Sequence, residues 1–175
     1  ARHDGWEYAT LQQFRQRLFL FKGLYWPSCP LGRFIQIALF LFPVFVPAKT
    51  WRVNPQGALP SIRAAVSLAG AGDTILVEKG IYREKGLVID KPLYLKGIGR
   101  PVLDGENKYE IIAVKSDGVT IEGFYLERSS FSGWNDIAGI KIYDAKQVTI
   151  CSNILENTFF GIYCQNASRC RITGN

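Results

Sequence analysis

Residues 138–153 read AGIKIYDAKQVTICSN, and residues 160–175 read FGIYCQNASRCRITGN. Superposed at a shift of 22, they share Gly139 with Gly161, Ile140 with Ile162, Ala145 with Ala167, Ile150 with Ile172 and Asn153 with Asn175. Within the first copy Ile140 and Ile142 alternate with Lys141, and Val148 and Ile150 alternate with Thr149. Such alternation turns the apolar side chains of a strand to one face and the polar ones to the other. Two short strands cannot bury that face by themselves. Stacking on a neighbour about 4.8 Å away closes both the hydrogen bonds and the core. Twenty-two residues therefore make one coil, with Asn153 and Asn175 as a structural ladder of stacked amides at a turn.

The pattern extends upstream. VTIEG (119–123) matches VTICS (148–152) at a shift of 29, CRITG (170–174) follows at 22, and LYLKG (93–97) precedes by 26. A near-constant period with tolerated insertions marks stacked repeats. The repeat contains strands and turns but no helix, which excludes the helical arrays and leaves an all-β parallel β-helix. Strands are expected at 74–77, 87–89, 93–95, 111–114, 119–121 and 124–126, punctuated by Gly, Asp, Asn and Pro. Before them Ile62, Ala65, Val66 and Ala69 fall on one face of a helix over 60–69, with Pro60 and Ser61 suited to its first turn. This amphipathic helix is expected to cap the first coil.

The seven extra residues of the 29-residue step fall in ERSSFSGWNDIAG (127–139). Insertions on one face of a solenoid are frequent binding sites, so Phe131, Trp134 and Asp136 are the candidate binding residues. The alternative is a solvated loop whose tryptophan packs on the wall.

The formal charge is +6. Residues 1–48 contribute five Lys/Arg against two Asp/Glu, and residues 49–175 contribute 16 against 13 without a basic run. No stripe of cations interleaved with aromatics exists, which argues against nucleic acid. Arg33, the apolar run from Phe34 to Val46 and the small-residue exit Val46-Pro47-Ala48 have the layout of an export signal over 33–48. The run falls short of the roughly 20 apolar residues of a bilayer span, although a membrane anchor is the other reading. Residues 1–32 read as leader or translated upstream sequence, with an amphipathic membrane-surface segment as the alternative. The exported domain is expected over 49–175. The chain starts at Ala1 and contains no Met, which reads as part of a longer frame.

Over residues 50–175 the sequence resembles the NosD family. DKPLYLKGIGRPVLDG (90–105), GVTIEGF (118–124) and DIAGIKI (136–142) carry the likeness, alongside the more widespread GDTI…GIY opening (72–82). The resemblance implies a right-handed parallel β-helix, here truncated at its C-terminus, in the periplasm. It also implies an accessory role beside an ABC transporter in maturing the copper centre of nitrous oxide reductase, with copper or a sulfur species handled by the whole protein.

The residues themselves supply little for copper, which prefers Cys, Met and His. After Ala48 there is no Met, no His and three cysteines. In the 22-residue superposition Cys164 takes the place of Ile142 and Cys170 that of Val148, so both are expected to face a packed interior as small hydrophobes, with a disulfide across the bend as the alternative. Cys151 faces outward. No cofactor is expected within this sequence. A second class is a secreted polysaccharide lyase or hydrolase on the same fold, and a third is a purely structural, adhesin-like β-helix. The enzyme needs paired or clustered acids. Asp73, Asp90, Asp104, Asp117 and Asp144 sit at turns without forming a column, which leaves Asp136 as the acid of interest and no catalytic residue assigned.

Overall fold

The computed structural model describes residues 47–131 and 136–175. The leader, nearly all of the expected export signal and Trp134 lie outside the described residues. Among the described residues no helix is long and apolar enough to cross a membrane.

The chain winds as a right-handed parallel β-helix of three sheets. The first stacks β1 (Thr50–Val53), β2 (Thr74–Val77), β5 (Tyr94–Gly97), β8 (Thr120–Glu122), β11 (Thr149–Cys151) and β14 (Arg171–Thr173). The second stacks β3 (Ile81–Tyr82), β6 (Val102–Asp104), β9 (Tyr125–Glu127) and β12 (Ile154–Glu156). The third stacks β4 (Leu87–Ile89), β7 (Ile112–Val114), β10 (Ala138–Tyr143) and β13 (Phe160–Gln165). Every pairing is parallel, and in the first sheet Thr50, Thr74, Tyr94, Thr120, Thr149 and Arg171 stand in register. Successive steps of that column are 24, 20, 26, 29 and 22 residues, so the shifts of 26, 29 and 22 seen in the sequence are coil lengths. Ile140 pairs with Ile162 and Ile150 with Ile172.

The alternating residues fill the interior. Ile75, Leu95, Ile121 and Ile150 form one fully buried column, and Ile112 with Ile140 continues another. Each such side chain contributes about 1.5–3 kcal/mol of burial. Ile111, Val119 and Phe124, expected within strands, are buried corner residues immediately before β7, β8 and β9. The core continues around the bends where the hydrogen-bond ladder stops, so an apolar pattern overruns a strand by one residue.

At the N-terminal end the helix α1 (Ile62–Leu68) occupies the place that strands of the second and third sheets take in later coils. Ser61 is its N-cap and accepts the Ala64 N–H, while Pro60 precedes the helix. The face expected from the sequence is the buried one, through Ile62, Ala65 and Val66. Glu84 accepts the N–H groups of Ile62 and Arg63 at 2.6 and 2.8 Å. Lys91 Nζ donates to the carbonyls of Val66 and Ala69, both at 3.1 Å. An anion at the amino end and a cation at the carboxyl end complement both the orphan backbone groups and the helix dipole.

Turn acids bond across coils as well as locally. Asp73 accepts from Gly70 N–H locally and from Lys49 N–H and Trp51 Nε1 at 2.7 and 2.9 Å. Asp104, buried, accepts from the Glu106 N–H at 2.9 Å, from Arg83 at 3.1 Å and from both Nε and Nη2 of Arg128. Arg83 and Arg128 belong to the coils below and above, so one carboxylate staples three coils. Among the described residues no buried side-chain polar atom lacks a hydrogen-bond partner.

A candidate binding face at the long corner

Passing from the second sheet to the third, the chain turns one corner of the coil. Between aligned residues of the two sheets this corner takes 6 residues (Ile81 to Leu87), then 10 (Val102 to Ile112), 15 (Tyr125 to Ile140) and 8 (Ile154 to Ile162). The insertion expected over 127–139 is therefore the longest of a set stacked on one side. Its first turn is fixed to its neighbours: Ser130 N–H donates to the Tyr109 carbonyl at 3.0 Å, and the buried Ser129 Oγ accepts the Phe159 N–H at 2.9 Å.

Phe131 projects from this corner and is 66 % exposed. Its ring meets Phe159 edge-on at 5.8 Å, Phe159 meets Phe160 at 4.8 Å, and Phe160 meets Tyr163 at 5.3 Å. The first two pairs are edge-to-face and contribute about 0.5–1.5 kcal/mol each, while the third is tilted. The Tyr163 hydroxyl donates to Asp136 Oδ2 at 3.2 Å, which raises the phenol's pKa above its ordinary value. Two of the three candidate residues from the sequence, Phe131 and Asp136, are thus joined through Phe159, Phe160 and Tyr163.

The track continues onto the outer face of the third sheet. Lys141 Nζ lies 5.1 Å from the Tyr163 ring centre and 4.7 Å from that of Tyr143, and Lys115 approaches Tyr143 at 5.3 Å. Lys141 points away from the core as its alternation requires, yet it is only 4 % exposed, because outward is not the same as solvated beside a long corner and two rings. The Tyr143 hydroxyl donates to Glu110, 3.1 Å from each carboxylate oxygen. Burial pushes the Glu110 carboxyl up, against the pull of Tyr143, Lys141 and Lys115. Burial and the Glu110 charge together push Tyr143 up to about 12.

Glu110, Lys115, Tyr143 and Tyr163 did not stand out in the sequence. The 22-residue superposition already sets Lys141 against Tyr163, and that pairing was the available signal. Glu110 carries none, since it meets Tyr143 from a neighbouring coil 33 residues away.

The cysteines differ in part from expectation. Cys164 stands over Ile142 in register but is exposed, and Cys170 is partly buried against the core, because no coil packs on the last one described. All three are free thiols, and burial raises the Cys151 thiol. Cys151 pairs with Glu122 and Thr173 on the outer side of the first sheet, opposite in direction from Cys164 and Cys170. Among the described residues no three His, Cys, Asp or Glu side chains converge as metal ligands. A small interior cavity borders Ile62, Leu87, Leu103 and Ile111, with Glu84 and Asp104 among its lining. Both carboxylates are already committed, to the helix end and to the two arginines, so it belongs to the scaffold.

The class defined by this architecture is the right-handed parallel β-helix with an N-terminal helical cap. No family model, curated protein or solved structure matches this chain.

Proposed function

We propose that this chain belongs to a periplasmic accessory protein of the NosD type, which acts with an ABC transporter in maturing the copper centre of nitrous oxide reductase. The observation that supports this reading is where the resembling segments fall. DKPLYLKGIGRPVLDG builds β5 and β6, GVTIEGF builds β8 and its corner, and DIAGIKI enters β10. The motifs of the resemblance thus fall in two adjacent coils of one solenoid rather than as scattered matches.

In this reading residues 49–175 serve as a docking scaffold. Contact with transporter and reductase falls to the outer faces and the long corner. The test is deletion of the gene in its host, followed by purification of nitrous oxide reductase and measurement of its copper content and its copper-centre absorption. Reductase lacking its copper centre, restored by the full gene, is the expected result. Fully loaded reductase from the deletion strain refutes the reading.

A further inference from the structure

We propose that cutting the Ala48–Lys49 bond, at the end of the export signal, frees an amino terminus that binds the Asp73 carboxylate and locks the first coil. The proposal rests on the export reading and gives the cut bond a second consequence.

The backbone changes character at this bond. Pro47 and Ala48 are exposed, while the Lys49 backbone is held on both sides. Its N–H donates to Asp73 Oδ1 at 2.7 Å, and its carbonyl accepts the Thr74 N–H at 2.9 Å. β1 begins at the next residue and pairs with β2 along its length. Val46 and Ala48 stand third and first before the bond, the small-residue spacing of an export cleavage site. Among the described residues the hydrogen-bonded coil thus starts at the residue that becomes the amino end.

Asp73 is placed to receive a cation. It is 7 % exposed, and its donors are the neutral N–H groups of Lys49, Gly70 and the Trp51 indole. The Lys49 side-chain ammonium lies over the Trp51 ring, 3.8 Å from its centre. The Lys49 N–H above all, then Trp51 and Gly70, holds the carboxyl below its ordinary value of 3.8, so an anion stands here at neutral pH. A buried anion is best compensated by an opposite charge at hydrogen-bond distance. Hydrolysis of the Ala48–Lys49 amide by a signal peptidase consumes one water. Ala48 departs as a carboxylate, and the Lys49 nitrogen takes up the protons to become an ammonium where its N–H now points at Asp73. A neutral donor is replaced by a cation without moving the strand, and the new carboxylate leaves with the signal. The ion pair joins the start of β1 to the segment between α1 and β2, where Gly70 and Asp73 lie.

The test starts from the full chain expressed with export in a bacterial host. Amino-terminal sequencing of the exported protein is expected to begin at Lys49. Its amino groups are then reductively methylated with a 13C label, which keeps their charge, and the α-amino signal is titrated by NMR. The terminus should hold its proton about tenfold more tightly than an ordinary one, whose pKa is about 7.7–8.0. Asp73→Asn should return it to that range. The same pairing predicts a melting-temperature margin of the exported protein over Asp73→Asn that is full below about pH 7.7 and shrinks as pH rises through the raised value. No cleavage, or a mature chain that begins at another residue, overturns the proposal together with the export signal as placed. Cleavage at Lys49 with an ordinary α-amino pKa overturns the lock alone and leaves export standing. A raised pKa that persists in Asp73→Asn overturns the assignment of the partner.

Discussion

Removing the Asn153 side chain orphans one backbone amide in the middle of the stack and takes a second donor from a carbonyl, and the cost follows from the geometry. Asn153 is 1 % exposed. Its Oδ1 accepts the Phe124 N–H at 3.0 Å, and its Nδ2 donates to the Ile121 carbonyl at 3.1 Å and to Asn175 Oδ1 at 3.0 Å. In Asn153→Ala the buried Phe124 amide loses its acceptor, and the Ile121 carbonyl loses the donor that adds to its bond in the strand ladder. Each orphaned group costs about 1–3 kcal/mol. A total of about 2–4 kcal/mol is expected, since the Asn175 amide is exposed and turns to water. For a domain of this size about 4 °C accompanies each kcal/mol, so the midpoint falls by about 8–16 °C. Thermal and urea unfolding followed by circular dichroism measures this, and hydrogen exchange at the Phe124 amide should quicken in parallel. Asn175→Ala is the comparison: its amide makes the equivalent bonds to the Asn153 N–H and the Ile150 carbonyl on the last described coil, and it should cost less because water replaces them there. A loss at Asn153 below about 0.5 kcal/mol, or no larger than at Asn175, refutes the assignment of the ladder as a structural bond of the stack.

Other outcomes follow from the same contacts. Burial raises the Asp104 carboxyl, but Arg128, the Glu106 N–H and Arg83 together bring it below its ordinary value of 3.8, so its stabilisation is present above pH 3.8 and fades as pH falls further. Asp104→Asn should cost about 2–3 kcal/mol at neutral pH and progressively less as pH falls below 3.8, which a pH series of urea midpoints would show. Glu110 has the opposite sign: its folded pKa is raised from 4.5, so ionisation penalises the fold as pH rises above that value. Glu110→Gln, which keeps an acceptor for Tyr143, should therefore raise the neutral-pH melting temperature and leave that at pH 4 unchanged. A Cβ on Gly97 would meet the Gly123 carbonyl oxygen and lie 2.9 Å from its carbon. Gly97→Ala should cost about 1–3 kcal/mol, measured as a lower urea midpoint with an unchanged slope.

How much of this was legible in sequence depends on how local each signal is. The coil steps were readable because identical short words recur, and a period-two pattern fixes which residues enter the core. β1, β3, β6 and β12 escaped because none carries a recurring word, and two to four residues, one run beside Pro101, were not picked out on alternation alone. The loop carrying Phe131 and Asp136 was readable as an excess of seven residues. The partners it meets were not, since Phe159, Tyr163 and Glu110 arrive from other coils and share no spacing with it. The cysteines show the limit of register: it gave the direction in which Cys164 points but not whether anything covers it.

The helix that closes the first coil has only seven residues, too few to persist by itself in water. Both its ends are held by side chains that follow it in the chain, Glu84 at one and Lys91 at the other. A polypeptide emerging amino end first therefore cannot complete this cap until residue 91 has appeared. The earliest part of the solenoid stays open while the second coil is made, and order spreads backward onto the cap as well as forward along the stack. Pulse-labelled nascent chains ending before and after Lys91 should differ sharply in protease resistance of the 50–70 segment.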